Sequence, residues 1–350
     1  MYFYDLTFDD NKIVFPEYWI GQIVVLNDDF TIADTIFEEN NYGCLILGVY
    51  AKPDEYIFAI RNSRVIRKYI KRNNLFVDVE IKNLPKDAMV CFNHNDIFVQ
   101  KDKIIIITQD NDILVADLTF TEVKYVKRIQ KGKQHMQIAE DTEFLYIPIE
   151  KIIFRLSKSN LDINVYAQFD QTIDVLIRNK NGLWSLTNDA QLTNVDAGGQ
   201  PIDLSTYIHF YGNRAQGQIY NYINAYSYKE KVLFVPCYCD NLLLFDMMSN
   251  QITELVIEKE IENDRTLSRE HRRNTLKYIA SCQNGQYVFL LSSSSEILYS
   301  FNFETFLLTE CAKGINDKLL IEIELAHKSI LNEQFSGINL TSYIDLIIKR

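Results

Sequence analysis

The chain has 350 residues and a formal net charge of −11, with 47% hydrophobic and 13% aromatic residues. That apolar content is enough for a packed core and excludes a disordered chain, and the length fits two ordinary domains or one large repeat domain. The acidic balance excludes general nucleic-acid binding, which needs a basic face to release counterions.

The amino-terminal residues 1–8, MYFYDLTF, contain no basic segment, apolar stretch or cleavage site typical of a secretory signal. No apolar run approaches the length of a membrane-spanning helix. The six cysteines have no framework spacing, so reduced thiols are the expectation. The sequence therefore predicts a cytoplasmic protein that binds neither membrane nor nucleic acid.

A short phrase recurs along the chain: an apolar residue, two residues, an apolar or aromatic residue, and then Asp, Asn or Ser. Its copies begin at Ile23, Ile66, Ile113, Ile153, Leu192, Leu242 and Leu298, and the second copy has Ile70 in the polar slot. Their mean spacing of about 46 residues lies within the roughly 40–50 residues of a four-stranded propeller blade. Pro16, Pro148 and Pro236 end the strand before three copies, which marks one repeated structural position.

Each repeat divides into four short strands, rich in β-branched and aromatic residues and bounded by polar turns. With only 12 Gly and 6 Pro, these turns must rely on Asn and Asp. The predicted strands are 2–8, 13–15, 22–26 and 30–37; 43–50, 56–60, 64–70 and 75–81; 89–99, 103–108, 112–118 and 120–129; 135–139, 143–147, 151–156 and 161–168; 172–178, 183–187, 191–195 and an outer strand within 200–211; 222–228, 232–235, 242–247 and 251–257; 275–282, 286–291, 296–302 and 306–312.

Repeated meanders without helical crossovers exclude a parallel α/β sheet and favour a ring. The sequence predicts an all-β, seven-bladed β-propeller; six blades plus an accessory hairpin is the alternative, because the fifth repeat is the weakest. The predicted blades are approximately 1–40, 41–85, 86–130, 131–170, 171–211, 212–260 and 261–312. Residues 313–350 predict one edge strand at 319–325 and a short amphipathic helix at 340–349, both packing on the propeller.

The repeat resembles those of kelch-like and WD-like propellers, and most closely those of uncharacterised bacterial propeller proteins whose blades read F-x-P … N-x-I-x-x-F-D. The residues that carry this resemblance are Phe234, Pro236, Asn241, Leu242, Phe245 and Asp246, together with the NGLW run at 181–184. The double glycine of kelch repeats and the GH…WD signature of WD repeats are both missing. The resemblance implies a propeller that binds a partner, and it transfers no catalytic residue.

In a propeller, the turns between second and third strands and the links between blades open on one face, where function tends to lie. The links include two long insertions, residues 196–217 and 258–274. The candidate binding residues on this face are Glu17, Tyr18, Trp19, Arg61, Asn62, Asp110, Glu150, Asp189, Tyr238, Asp240, Arg214, Arg269, His271 and Arg272.

Several chemical motifs have a structural interpretation beside the functional one. Cys237 and Cys239 would provide two zinc ligands of the four required, so we predict no metal site. The basic segment 61–72 fits a solvated strand edge better than a phosphate site, and 258–274 fits an exposed helix better than a charged lid. Residues 196–217 fit a sugar or peptide loop and an irregular outer strand equally well. His135, His209 and His271 have no visible acid–base partner.

No nucleotide-binding, zinc-protease, hydrolase or calcium-loop motif is present, and no cofactor is predicted. The sequence favours a non-enzymatic binding or scaffold module that presents its loop-rich face to a protein or peptide partner. The alternative is a propeller enzyme acting on a carbohydrate or other small polar metabolite, with Glu17, Asp110, Glu150 and Asp240 converging at the channel mouth. A third hypothesis, an anion sensor, uses Arg61 and the arginines of 269–273.

Overall fold

The computed structural model describes residues 5–17, 22–27, 29–36, 46–60, 63–131, 134–209, 221–257, 278–292 and 297–312. Its strands group into four-stranded antiparallel units. Unit 1 comprises β1 (Thr7–Asp9), β2 (Lys12–Glu17), β3 (Gln22–Leu26) and β4 (Ile32–Ile36). Unit 2 comprises β5 (Ile46–Ala51), β6 (Glu55–Ile60), β7 (Val65–Ile70) and β8 (Leu75–Lys82). Unit 3 comprises β9 (Ile97–Val99), β10 (Ile104–Ile107), β11 (Asp112–Ala116) and β12 (Val123–Arg128).

The second half of the chain repeats this pattern. Unit 4 comprises β13 (Ala139–Glu140), β14 (Phe144–Ile149), β15 (Ile152–Ser157) and β16 (Ile163–Gln168). Unit 5 comprises β17 (Ile173–Asn179), β18 (Gly182–Thr187), β19 (Gln191–Asn194) and β20 (Ile202–Asp203). Unit 6 comprises β21 (Tyr222–Tyr228), β22 (Lys231–Pro236), β23 (Asn241–Asp246) and β24 (Gln251–Val256). Unit 7 comprises β25 (Tyr278–Asn284), β26 (Tyr287–Ser292), β27 (Leu298–Asn302) and β28 (Leu308–Ala312). Short 3₁₀ turns span Lys71–Asn73, His94–Asp96 and Ser205–Tyr207.

The sheets are simple meanders, with each strand hydrogen-bonded to its neighbours in the chain. Units 2 and 3 are joined into one eight-stranded sheet, because the outer strands β8 and β12 run parallel and pair at Val123 with Ile81 and Lys124 with Lys82. The other described units form separate four-stranded sheets. The structure is therefore all-β, as predicted.

Hydrophobic clusters lie between consecutive units rather than within them. The cluster containing Val14 and Tyr56 joins units 1 and 2, and equivalent clusters join each following pair. A further cluster packs Phe15 of unit 1 against Leu291 of unit 7. The described units therefore follow one another in a closed ring, because the last packs on the first.

Burial explains which strands hold the ring together. The β10 strand consists of four buried isoleucines, Ile104–Ile107, since each of its two faces packs against a neighbouring unit. Outer strands such as β16 and β24 have no fully buried residue and consist of partly buried and exposed residues. Fully burying one such aliphatic side chain contributes about 1.5–3 kcal/mol, so most of the stabilisation comes from the middle strands.

The polar slot of the repeated phrase begins the turn between third and fourth strands. The Asp246 carboxylate accepts hydrogen bonds from the backbone N–H groups of Met248 and Ser249 and pairs with Lys231. The bond from Lys231 and these backbone bonds lower the pKa of Asp246 to about 2. Asn302 receives the same backbone bonds in unit 7. The slot is polar because the turn needs a local acceptor.

Two strand predictions need correction. The predicted strand 89–99 is an irregular segment that becomes strand only at Ile97–Val99. The predicted strand 135–139 is reduced to a single bridge between His135 and Ile149, followed by β13. In both segments a histidine side chain binds another unit, His94 bonding to Asp5 and His135 to Asp96. The outer strand predicted within 200–211 is present as the two residues Ile202–Asp203. The strand and helix predicted in 313–350 lie outside the described residues.

Candidate functional site

One face of the ring carries the turns between second and third strands together with the links that lead into the next first strand. We call it the loop face. Backbone hydrogen bonds hold the two sets of loops together: Gln109 N–H donates to Cys91, Asn188 N–H to Thr172, and Cys237 N–H to Asn221, over 2.7–2.9 Å. In units 3, 5 and 6 the turn between second and third strands therefore lies against the link that leads into the first strand.

The junction of units 5 and 6 contains a buried carboxyl group on this face. Asp174, at the start of β17, has no exposed surface. Its Oδ2 accepts the backbone N–H groups of Asn221 at 2.6 Å and Tyr222 at 3.3 Å, whereas its Oδ1 has no hydrogen-bond partner among the described residues. Burial raises the pKa of Asp174 to about 7, and the charge of Asp189 adds to the shift.

The β22–β23 turn closes over the same junction. The Cys239 thiol donates to the backbone oxygen of Asn221, and Asp240 N–H donates to the backbone oxygen of His209. Burial raises the pKa of Cys239 to about 12, so the thiol is neutral at physiological pH. Both Cys237 and Cys239 are buried in the turn, and Tyr238 is half-buried. The turn is therefore a packed structural element that exposes part of Tyr238.

Residues 92–96, which we call the mouth segment, lead into β9 at the inner end of unit 3. A Cβ atom on Gly48 would lie 2.1 Å from the backbone oxygen of Phe92, so only glycine permits this approach. The His94 ring hydrogen-bonds Asp5 of unit 1, and the Asn95 side chain hydrogen-bonds the Tyr226 hydroxyl of unit 6. The segment thus binds units on opposite sides of the ring.

Asp96 connects the mouth segment to unit 4. Its Oδ1 lies 3.1 Å from Nε2 of His135, and its Oδ2 accepts the backbone N–H of Asn93 at 2.8 Å. The other ring nitrogen of His135 lies 3.1 Å from Oδ1 of Asn111. His135 therefore ties the mouth segment to Asn111 in the β10–β11 turn of unit 3 and to unit 4, which carries the histidine itself.

A further bond crosses the ring below the mouth. The Gln137 side chain of unit 4 donates to the backbone oxygen of Ala225 at 2.7 Å and accepts the Ala225 N–H at 2.5 Å. Ala225 belongs to β21 of unit 6, so the Gln137 side chain links unit 4 to unit 6 rather than to its neighbour, unit 5. It bonds to both backbone groups of Ala225, as a paired strand would. The inner strands are therefore linked by side chains across the channel.

A small cleft lies on the loop face at the rim of unit 3. It has a volume of about 220 Å³ and is lined by Asp87, Asp110, Arg128 and Lys131. The Arg128 guanidinium binds the buried Asp112 through Nε at 2.7 Å and Nη2 at 2.9 Å, and binds Asp87 through Nη1 at 3.2 Å. We call this the unit 3 cleft.

The opposite face uses its charges to hold neighbouring units together. Lys71 of unit 2 binds Asp9 of unit 1 at 2.7 Å, Arg178 of unit 5 lies 3.5 Å from Asp141 of unit 4, and Lys229 of unit 6 binds Glu304 of unit 7 at 3.0 Å. Lys52 and Lys103 reach backbone oxygens of the next unit, and Lys180 pairs with Glu230. Most unit boundaries there carry such a cation.

The structure places four predicted site residues in two groups: Asp110 lies in the unit 3 cleft, and Asp189, Tyr238 and Asp240 lie at the junction of units 5 and 6. Glu150 occupies the β14–β15 turn at positive φ, and its backbone oxygen accepts the N–H of Ile173. Glu17 ends β2. The remaining predicted residues lie outside the described part of the chain: Tyr18, Trp19, Arg61, Asn62, Arg214, Arg269, His271 and Arg272.

Sequence reasoning missed Asp5, His94, Asp96 and Asp174. The run Asn93-His94-Asn95-Asp96 was the available signal, because four consecutive polar residues do not fit an inner strand with alternating burial. Asp174 gave no signal, since one Asp among apolar residues fits many strand positions. In the described part of the basic segment, from residue 63 on, Arg67 pairs with Asp78 and Lys68 with Glu55, while Arg64 binds backbone oxygens of 84–88.

Comparisons with known proteins concern the fold. The chain matches PorZ, a surface component of the type-IX secretion system of Porphyromonas gingivalis, with TM-score 0.57 and 10% identity over 90% of this chain and 38% of PorZ. It matches BamB from Moraxella catarrhalis with TM-score 0.53 and 12% identity over 89% of this chain and 85% of BamB. The computationally designed Ika8 protein gives 0.55 and 11% over 88% and 85%.

The chain has a β-propeller-like fold. At these identities the likeness extends to the fold alone. No protein-family model matches the chain, and no curated protein sequence does. Among the described residues, no helix is both long and apolar enough to span a membrane.

Proposed function

We propose that the chain is a seven-bladed β-propeller, of the kelch-like or WD-like repeat type, that acts in the cytoplasm as a non-enzymatic binding module. Its partner, a protein or peptide, binds on the loop face. The blade count is supported by seven described units with inter-unit clusters that lead from the first to the last and back. The acidic charge of −11 and the loop-rich face support a protein partner rather than nucleic acid.

The observation that carries this proposal is the filled mouth. The polar side chains of residues 92–96 are bound to units 1, 4 and 6, and from these bonds we infer that the segment fills the place where a small substrate would enter a propeller channel. The free surface of the loop face is therefore its rim, where Asp110, Asp189 and Tyr238 lie. A broad rim suits a macromolecular partner, whose interface covers about 800 Å² on each side.

The filled mouth weighs against the carbohydrate-enzyme alternative. That mechanism needs two carboxyl groups about 5–10 Å apart around one sugar site. Asp110 belongs to unit 3 and Asp240 to unit 6, and the mouth segment occupies the space at the ring's centre. Asp240 is also buried in the β22–β23 turn. Two of the four carboxylates that the alternative names, Asp110 and Asp240, thus belong to separate units.

Cross-linked capture from the native cells tests the proposal. The full chain is tagged and compared with a loop-face variant, Asp189→Lys combined with Tyr238→Ala, and with a control, Asp102→Lys, in the β9–β10 turn on the opposite face. We expect one set of proteins to be captured by the wild type and the control and to be depleted at least about fivefold by the loop-face variant. Equal capture by all three would contradict the proposal.

A further inference from the structure

The described residues in and behind the unit 3 cleft carry one more negative charge than positive charges. Arg128 is committed to Asp112 and Asp87, so it forms part of the wall. Lys131 lies 3.3 Å from Asp87 and its side chain is 79% exposed. Asp110 lines the same cleft, is exposed, and has no hydrogen bond or ion pair within the described residues. Among the described residues, and with the buried Asp112 behind Arg128 included, the cleft has three carboxylates and two cations.

The size of the cleft limits its occupant. Pockets for drug-sized ligands measure about 300–1,000 Å³, and this one measures about 220 Å³. All four residues that line it carry charged groups, so an apolar anchor would desolvate these groups without giving them partners, at a cost in binding free energy. A single long side chain with a charged end fits both the volume and the lining.

We propose that the unit 3 cleft is the anchoring pocket for a lysine or arginine side chain of the partner. This inference rests on the proposed function, since it names the chemistry by which the loop face recognises that partner. The incoming cation binds Asp110, completes the charge balance and shares Asp87 with Arg128. Lys131 lies at the edge and competes with the incoming cation for Asp87.

Because Lys131 competes for Asp87, removing its charge has opposite effects on the binding of a cation and of an anion. A cation in the cleft is bound more tightly when Lys131 is neutralised, because the repulsion disappears and Asp87 becomes available. An anion bound by Arg128 and Lys131 would instead be weakened by the same change. Asp110→Asn has the reverse pattern, because it removes the unpaired carboxylate that attracts a cation.

Nuclear magnetic resonance titration of the isotopically labelled full chain measures this directly. The probes are the Nα-acetyl N-methylamides of lysine, arginine, norleucine and glutamate, and the signals of residues 109–112 and 128–131 report binding. We expect saturable millimolar binding of the lysine and arginine probes, and none of the uncharged norleucine probe. Asp110→Asn weakens binding about threefold to fivefold, the range of an exposed ion pair, and Lys131→Gln strengthens it. Asp102→Asn, on the opposite face, leaves it unchanged.

Preferential binding of the glutamate probe, weaker lysine binding in Lys131→Gln, or no effect of Asp110→Asn would each overturn the inference. The two proposals fail separately. Capture that depends on Asp189 and Tyr238, without lysine-probe binding, removes the cleft anchor and retains the loop-face function. Lysine-probe binding that follows both sign predictions, without loop-face capture, supports a cation pocket and removes the macromolecular function.

Discussion

At the scale of residues, the inner ends of the units depend on a few buried polar groups. Asp5, Asp96 and Asp174 each accept backbone N–H groups, and the first two also bind a histidine of another unit. A buried carboxyl group with too few donors is costly when ionised, because the interior solvates charge poorly. Asp174, with one oxygen unpartnered among the described residues, is the clearest case.

Replacing Asp174 with Asn should change how stability depends on pH. The pKa of Asp174 is about 7 in the folded chain and 3.8 in the reference state, so folding favours the protonated form. The wild type should therefore lose stability as pH rises from about 4 to about 7, by roughly 2–4 kcal/mol. We expect Asp174→Asn to gain on the wild type by that amount between pH 5 and pH 8, measured by urea unfolding.

Asp102→Asn, at an exposed position, is the control for the Asp174 experiment and should follow the wild type at both pH values. Parallel stability curves for Asp174→Asn and the wild type would show that burial of this carboxyl group does not govern the pH dependence.

At the scale of elements, the mouth segment depends on the absence of a side chain in β5. A Cβ atom at position 48 would meet backbone atoms of Phe92 and Asn93 at 2.1 and 2.7 Å, and backbone cannot rotate away as a flexible side chain can. The contact therefore joins two features that no local sequence pattern connects. One is a glycine in β5 of unit 2, and the other is the polar run 93–96 that precedes β9 of unit 3.

Gly48→Ala should displace the mouth segment and lower the free energy of unfolding by about 1–3 kcal/mol, as overpacking does elsewhere. Hydrogen exchange at residues 93–96 should become faster, because their bonds to Asp5 and His135 depend on the same position. Gly199→Ala is the matched control, since no atom lies within 4 Å of a Cβ at that site, and its effect should stay within about 0.5 kcal/mol. Unchanged exchange at 93–96 in Gly48→Ala would exclude this coupling.

At the scale of the whole molecule, stability depends on closure. Middle strands such as β10 and β23 are buried on two faces and need a unit on either side. A unit at the end of an open row would leave one of these faces in water, as terminal repeats of solenoids do without caps. Packing of Phe15 and Val24 against Leu291 and Leu298 removes both open ends at once.

A chain ending at residue 257 should therefore fail to unfold cooperatively. It exposes the unit 1 cluster around Phe15 and the unit 6 cluster around Leu233, which pack against unit 7 in the full chain. We expect strong binding of a hydrophobic dye and a broad urea transition monitored by circular dichroism. Co-expression of residues 258–350 as a second chain should restore the sharp transition. A truncated chain that unfolds as sharply as the full one would contradict the closed-ring account.

Local pattern was sufficient for most strands and for the turns. The strands around residues 231–247 were predicted within one or two residues, because an apolar run, a polar turn and a second apolar run are all contained in one short segment. The turn residue Asp246 was identified as a repeated polar slot for the same reason. Asp110 and Asp189 were placed on the loop face by counting strands, since alternation of turns fixes the face of each loop.

The predictions at 89–99 and 135–139 were wrong because their residues bind partners in other units. His94 hydrogen-bonds Asp5, 89 residues earlier in the chain, and His135 hydrogen-bonds Asp96 across a unit boundary. The sequence shows polar residues there, and it carries no local sign of which distant group satisfies them. The same limit applies to Arg128, whose pairing with Asp112 and Asp87 turns a basic residue into part of the wall of the unit 3 cleft.

By itself the sequence determined an all-β chain of repeated four-stranded meanders, because strand burial and turn chemistry are local properties that recur with a measurable period. Only the tertiary structure decided that residues 94 and 96 bind units 1 and 4, that Asp174 is buried, and that Asp110 lines one cleft with Arg128 and Lys131. These features arise from contacts between units, where the free energy of a polar group depends on which distant donor or charge the folded ring brings to it.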